Sequence, residues 1–103
     1  MILNNSTKET LLILQEECAE VTQAISKVFR FGFDSVWPES DTGPNNKQRL
    51  EEEIGDLLAM IDILVETSVL SDAGVNLARR MKKDKLRVWS TIYDGDLVGP
   101  DGC

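Results

Sequence analysis

The sequence predicts an all-α fold, a compact bundle of three main helices with room for a short fourth. Three observations carry this. Leu11, Leu14, Cys18, Val21, Ile25 and Val28 recur at the 3–4 spacing of one helix face, and so do Leu50, Ile54, Leu57, Ile61 and Leu64. Capping residues stand ahead of apolar runs, at Ser6 and at Ser71 or Asp72. A stretch rich in Gly and Pro separates the first two periodic segments.

Ser6-Thr7-Lys8-Glu9 reads as a capping box with Ser6 as N-cap, so the first helix is expected from about Thr7 to Phe29 or Arg30. Gly32 suits its end. The 3, 4, 3, 4, 3 spacing of its stripe is also a heptad-like seam, suited to packing along another helix. Phe31 to Asn46 then breaks the pattern and is expected to be a loop, long for a small helical domain. Phe31, Phe33 and Trp37 put half the aromatic residues there. Either they cap the open end of the core or they form a lid; Trp37, beside Pro38, is the candidate for stacking on a flat ligand.

The second helix is expected from near Asn46 to about Ser68. Gly55 inside it costs about 1 kcal/mol relative to alanine, which suits a place where a backbone or ligand approaches closely. The third is expected from about Ala73 to Ile92, with Leu77, Met81 and Val88 on a core-like face. Residues 1–93 are thus read as one domain and 94–103, rich in Gly, Asp and Pro, as a loose tail.

Bulk properties narrow the function. A chain of 103 residues has room for one core, and oligomerisation would supplement it. A net charge of −7 disfavours nucleic acid or an anionic membrane as partner. No secretory leader and no membrane-spanning run is evident, so a cytoplasmic protein is expected. Cys18 and Cys103 are too few for a disulfide framework, and Cys18 reads as a small core residue. The absence of histidine removes Ser-His-Asp and Cys-His catalysis and the usual zinc sites. No glycine-rich phosphate loop is present.

Two acidic motifs remain. Glu17 and Glu20, like Glu53 and Asp56, stand three apart and project from one helix face, close to the shoulder of the apolar stripe. Carboxylates there are either a solvated acidic face or a partly desolvated set needing a cation. Four oxygen ligands suit a hard divalent ion, Mg²⁺ first. Six of the eleven basic residues fall between Arg79 and Arg87. They either complement the helix dipole and aid solubility, or lend one or two cations to phosphates; Lys82 and Lys85 are the candidates.

Glu17-x-x-Glu20 followed by Glu53-x-x-Asp56, within Leu14-Gln-Glu-Glu-Cys-Ala-Glu-Val-Thr-Gln-Ala-Ile25 and Leu50-Glu-Glu-Glu-Ile-Gly-Asp-Leu-Leu57, resembles the signature of the MazG-like all-α nucleoside triphosphate pyrophosphohydrolases. The likeness runs from about Leu11 to Trp89. It implies hydrolysis of (d)NTP to (d)NMP and pyrophosphate with Mg²⁺ or Mn²⁺ held by Glu17, Glu20, Glu53 and Asp56. Glu16 or Glu52 would serve as an outer base, Lys82 or Lys85 would steady the departing pyrophosphate, and Trp37 would pack on the base. It also implies a homodimer or homotetramer of four-helix-bundle type. The alternatives are a dUTP/dUDP diphosphatase of the same superfamily and a non-catalytic helical adaptor that uses the seam for oligomerisation.

Overall fold

A computed structural model describes residues 3–36 and 42–94. It contains three helices, α1 (Asn5–Phe31), α2 (Asn46–Glu66) and α3 (Asp72–Trp89). Among the described residues there is no strand, only an isolated antiparallel bridge between Val36 and Asn45. The chain forms two compact units, Met1–Val69 and Leu70–Cys103.

In the first unit α1 starts earlier than the Ser6 box predicts. Asn4 is the N-cap, its Oδ1 accepting from the Thr7 N–H at 2.7 Å. Ser6 lies inside the first turn, where its carbonyl accepts from the Thr10 hydroxyl at 2.8 Å. Asn caps as well as Ser does, and starting at Asn4 adds the Lys8 N–H to Asn4 carbonyl bond at 3.0 Å. The far end is as expected. Gly32 has φ of 88°, a region that favours glycine, and donates to the Val28 carbonyl at 2.8 Å.

Helix α2 opens with a capping box. Asn45 Oδ1 accepts from the Gln48 N–H, and Gln48 Oε1 accepts from the Asn45 N–H, both at 2.9 Å. Its first residue, Asn46, is 3% exposed and latches α2 to the end of α1. Asn46 Nδ2 donates to the Gly32 carbonyl at 3.0 Å and the Lys27 carbonyl at 3.5 Å. The Asn46 and Lys47 backbone N–H groups donate to Ser35 and Phe33 carbonyls. The start of α2 thus lies at the end of α1, and the two pack as an antiparallel hairpin.

The packed face is rotated from the stripe read in the sequence. Ala24 and Leu64 are buried, and Leu14, Glu17, Val21 and Val28 meet Leu50, Glu53, Leu57 and Met60 around them, all half-buried. Cys18 is exposed, not a core residue, and Ile25 and Ile54 are 40% and 39% exposed. Each helix has an apolar arc wider than one contact face, and the hairpin uses only its edge. Glu17 and Glu53 therefore sit within the packed face rather than at its shoulder.

The unused part of each arc, Cys18, Ile25 and Phe29 on α1 and Ile54 and Leu58 on α2, lies about a quarter-turn round from the packed face, in the same rotational sense. In an antiparallel pair this puts both stripes on one side of the hairpin. Glu20 and Asp56 are rotated the opposite way, onto the other side. Phe31 and Phe33 are more than half exposed, so neither caps the core, and Trp37 lies outside the described residues. Arg30 stacks on the Phe31 ring, 4.8 Å from its centroid.

In the second unit Ser71 is the N-cap of α3, its hydroxyl accepting from the Gly74 N–H at 3.1 Å. The helix ends at Trp89, short of the expected Ile92, where Ser90 turns to extended backbone. Arg87 pairs with Asp84 at 2.8 Å and lies over the Tyr93 ring. Leu77, Met81 and Val88, expected as a core-like face, are half exposed or more. Among the described residues of this unit there is no second helix against which to bury them. Of the expected tail, only Asp94 is among the described residues. No helix among the described residues is long and apolar enough to cross a membrane.

Candidate metal centre

Helix packing brings three of the four predicted ligands together. Glu17 projects from the packed face of α1, Glu53 from that of α2, and Asp56 from the next turn of α2. One carboxylate oxygen of each lies within 4.8 Å of the other two. Glu17 and Glu53 are half-buried and Asp56 is exposed. Glu20 is not one of the three; it is exposed on the same side of the hairpin.

This convergence is costly for a chain alone. Burial, first, and then the charges of Asp56, Glu20 and Glu16 push the Glu17 carboxyl above the ordinary glutamate range. Burial again leads for Glu53, followed by Glu20, Asp56, Glu17 and Glu52. Glu17 Oε2 is shut off from solvent and has no hydrogen-bond partner among the described residues. A buried carboxylate oxygen left so is the exception in native proteins. A hard divalent ion fits this donor set. Of three oxygens on one octahedral Mg²⁺ at most one pair is opposed, about 4.2 Å apart, and the others stand about 3 Å apart, so the side chains would have to rotate inward to share one ion.

Of the two predicted outer bases, Glu16 lies beside Glu17 on the exposed side of α1. Glu52 lines a small cavity next to the cluster. Lys82 and Lys85 are exposed on α3, in the second unit. Gly55, expected at a close approach, has nothing among the described residues beyond its own helix backbone within 4 Å of where a Cβ would stand.

The cavity next to the cluster holds residues that the motif reading passes over. It has a volume of about 80 Å³, and Glu20, Lys27, Asn46, Arg49, Glu52 and Glu53 line it. Spacing carries a faint signal for both cations. Lys27 is seven residues from Glu20, and Arg49 is four before Glu53, so each shares a helix face with a motif acid.

Comparison with curated proteins and with solved structures returns no match. Comparison with protein families matches residues 5–83 to the MazG nucleotide pyrophosphohydrolase domain. The matched stretch takes in α1, α2 and α3 as far as Lys83, with both acidic motifs. Covering most of the chain, it establishes that this protein belongs to the MazG nucleotide pyrophosphohydrolase domain family.

Proposed function

We propose that the protein is a metal-dependent nucleoside triphosphate pyrophosphohydrolase, converting (d)NTP to (d)NMP and pyrophosphate. The observation that carries this reading is the meeting of Glu17 and Glu53 from the packed face with the exposed Asp56 at its edge, with one Glu17 oxygen buried and unpartnered. A solvated acidic face would not bury that oxygen.

Glu17, Glu53 and Asp56 would hold Mg²⁺ or Mn²⁺, with Glu20 beside them as the fourth carboxylate. When bound, such an ion withdraws charge from the phosphates and makes water a better nucleophile. The overall step balances simply. Water adds to the α-phosphorus, the bond to the bridging oxygen breaks, and the electron pair leaves with pyrophosphate. Glu52, lining the adjoining cavity, is one candidate to accept the water's proton, with Glu16 the other. Lys82 or Lys85 would steady the departing pyrophosphate and Trp37 would stack on the base.

The apolar side of the hairpin, opposite Glu20 and Asp56, supports assembly as a homodimer or homotetramer in which a second copy covers Ile25, Phe29, Ile54 and Leu58. That placement leaves the acidic side open to a nucleotide. It also fits a non-catalytic adaptor, but an adaptor has no use for a desolvated carboxylate cluster.

The test is pyrophosphate release from the common NTPs and dNTPs with Mg²⁺, with Mn²⁺ and with EDTA. Metal-dependent release of monophosphate and pyrophosphate is expected, and Glu53→Gln should abolish it while far-UV helicity persists. Adding dUTP and dUDP to the panel separates a dUTP/dUDP diphosphatase by its base preference and its action on the diphosphate. No release from any nucleotide, or full activity in Glu53→Gln, would overturn the assignment.

A further inference from the structure

The cavity beside the carboxylate cluster has ends of opposite charge. Glu53 joins it to the metal centre, with Glu20 and Glu52 alongside, while Lys27 and Arg49 supply cations from α1 and α2. Its 80 Å³ is space for about two or three waters, which suits a phosphoryl group and is too small for a nucleoside.

Lys27 is placed to use that space. Seven residues, two helical turns, separate it from Glu20, about 10 Å along α1. Helical side chains lean toward the N-terminus, so the Lys27 stem reaches back over Gln23 toward the carboxylates. Its backbone is fixed, since it stands inside α1, a turn before the helix end that the Asn46 side chain holds at Gly32. The residue is exposed and, among the described residues, makes no ion pair despite three glutamates lining the same cavity.

We infer that Lys27 is a phosphate-binding residue, and that the polyphosphate of the substrate runs from the carboxylate cluster along α1 into this cavity. The inference rests on the pyrophosphohydrolase reading and deepens it by giving the leaving pyrophosphate a place. The α-phosphorus sits at the carboxylates, and the charge gained by the departing group falls next to the Lys27 ammonium. Lys27 thereby joins Lys82 and Lys85 as a cation for the leaving group, and it alone shares a compact unit with the acidic cluster.

The experiment is calorimetric binding of imidodiphosphate, a pyrophosphate analogue that resists hydrolysis, to the full chain in the presence of Mn²⁺. Binding of Mn²⁺ alone is measured in parallel by electron paramagnetic resonance. Losing one charge-assisted contact should weaken analogue binding about tenfold or more in Lys27→Gln. Lys27→Arg should restore most of it, and Mn²⁺ affinity should stay near the wild-type value in both. Lys27 is exposed, so an unchanged circular dichroism spectrum is expected and confirms that the variants fold. Equal analogue affinity in wild type and Lys27→Gln overturns the inference, as does failure of the Mn²⁺-loaded wild type to bind the analogue. The two readings fail separately: Lys27-dependent binding without hydrolysis of any nucleotide would sink the pyrophosphohydrolase reading and leave the phosphate subsite standing.

Discussion

Replacing Asn46 by alanine tests whether one side chain sets the alignment of α2 on α1. Asn46 is 3% exposed, and its amide donates a good hydrogen bond at 3.0 Å to the Gly32 carbonyl. The second bond, to the Lys27 carbonyl at 3.5 Å, is at the limit of useful geometry and adds little. Losing the first bond costs about 1 kcal/mol, and a carbonyl left poorly solvated costs roughly 1 kcal/mol more. Alanine's better helix propensity offsets about 0.5 kcal/mol of this. A net loss of about 1.5–2 kcal/mol is expected, equivalent to a fall in Tm on the order of 10 °C for a domain of this size. Urea unfolding followed by far-UV circular dichroism measures it. Asn46→Asp should be worse, because a carboxylate would face two carbonyl oxygens. A change below about 0.5 kcal/mol in Asn46→Ala, the range of an ordinary surface substitution, would refute the claim that Asn46 holds the hairpin together.

Three further outcomes follow from the site and the surface. Because the Glu17 and Glu53 carboxyls are raised, the folded chain holds protons more readily than the unfolded one. In EDTA its Tm should therefore fall as pH rises from the ordinary glutamate value through the raised ones. Mg²⁺, which binds the ionised form, should flatten or reverse that slope, and an identical profile with and without metal would count against the cluster. Glu17→Gln removes a charge from the same cluster, so in EDTA at neutral pH it should melt above wild type and gain nothing from Mg²⁺. An unchanged Mg²⁺ response would remove Glu17 from the ligand set. Ile25→Asp and Leu58→Asp, on the apolar side of the hairpin, should lower the solution mass to that of one chain in sedimentation with helicity retained. A wild type that already sediments as a single chain would contradict the proposed assembly.

Much of this was legible in the residues, and the errors share a cause. Local chemistry gave the three helices, because caps such as Ser71 and the stop at Gly32 act within a few residues of themselves. It chose Ser6 over Asn4 because two good caps two residues apart compete, and only the added helical bond decides. The Asn45–Gln48 box went unread among neighbouring polar residues. Periodicity finds the apolar arcs but counts Cys18 and Ile54 into the buried stripe, because a wheel averages hydrophobicity and gives no weight to a carboxylate that packs. Glu17 and Glu53 were thus placed a step outside the face they occupy. Spacing alone gives Lys27 and Arg49 only a shared helix face with Glu20 and Glu53, and it is the packing of α1 against α2 that puts both in one cavity with the acids, whereas the cluster at Arg79–Arg87 stands out by number alone.

The latch at Asn46 has a consequence for how such a protein can diversify. The Val36–Asn45 bridge and the bonds from Asn46 and Lys47 to Gly32, Phe33 and Ser35 close the connection at its base. The segment between Val36 and Asn45 is therefore not what spaces Glu17 from Glu53. Closing a longer segment adds little entropy, about 0.6 kcal/mol for each doubling of length. That segment, Trp37 included, can then behave as an interchangeable cassette, gaining, losing or swapping residues while the carboxylates keep their alignment. Under the proposal that Trp37 stacks on the base, grafting segments of different length and composition there would re-tune which nucleobase is accepted without rebuilding the carboxylate cluster.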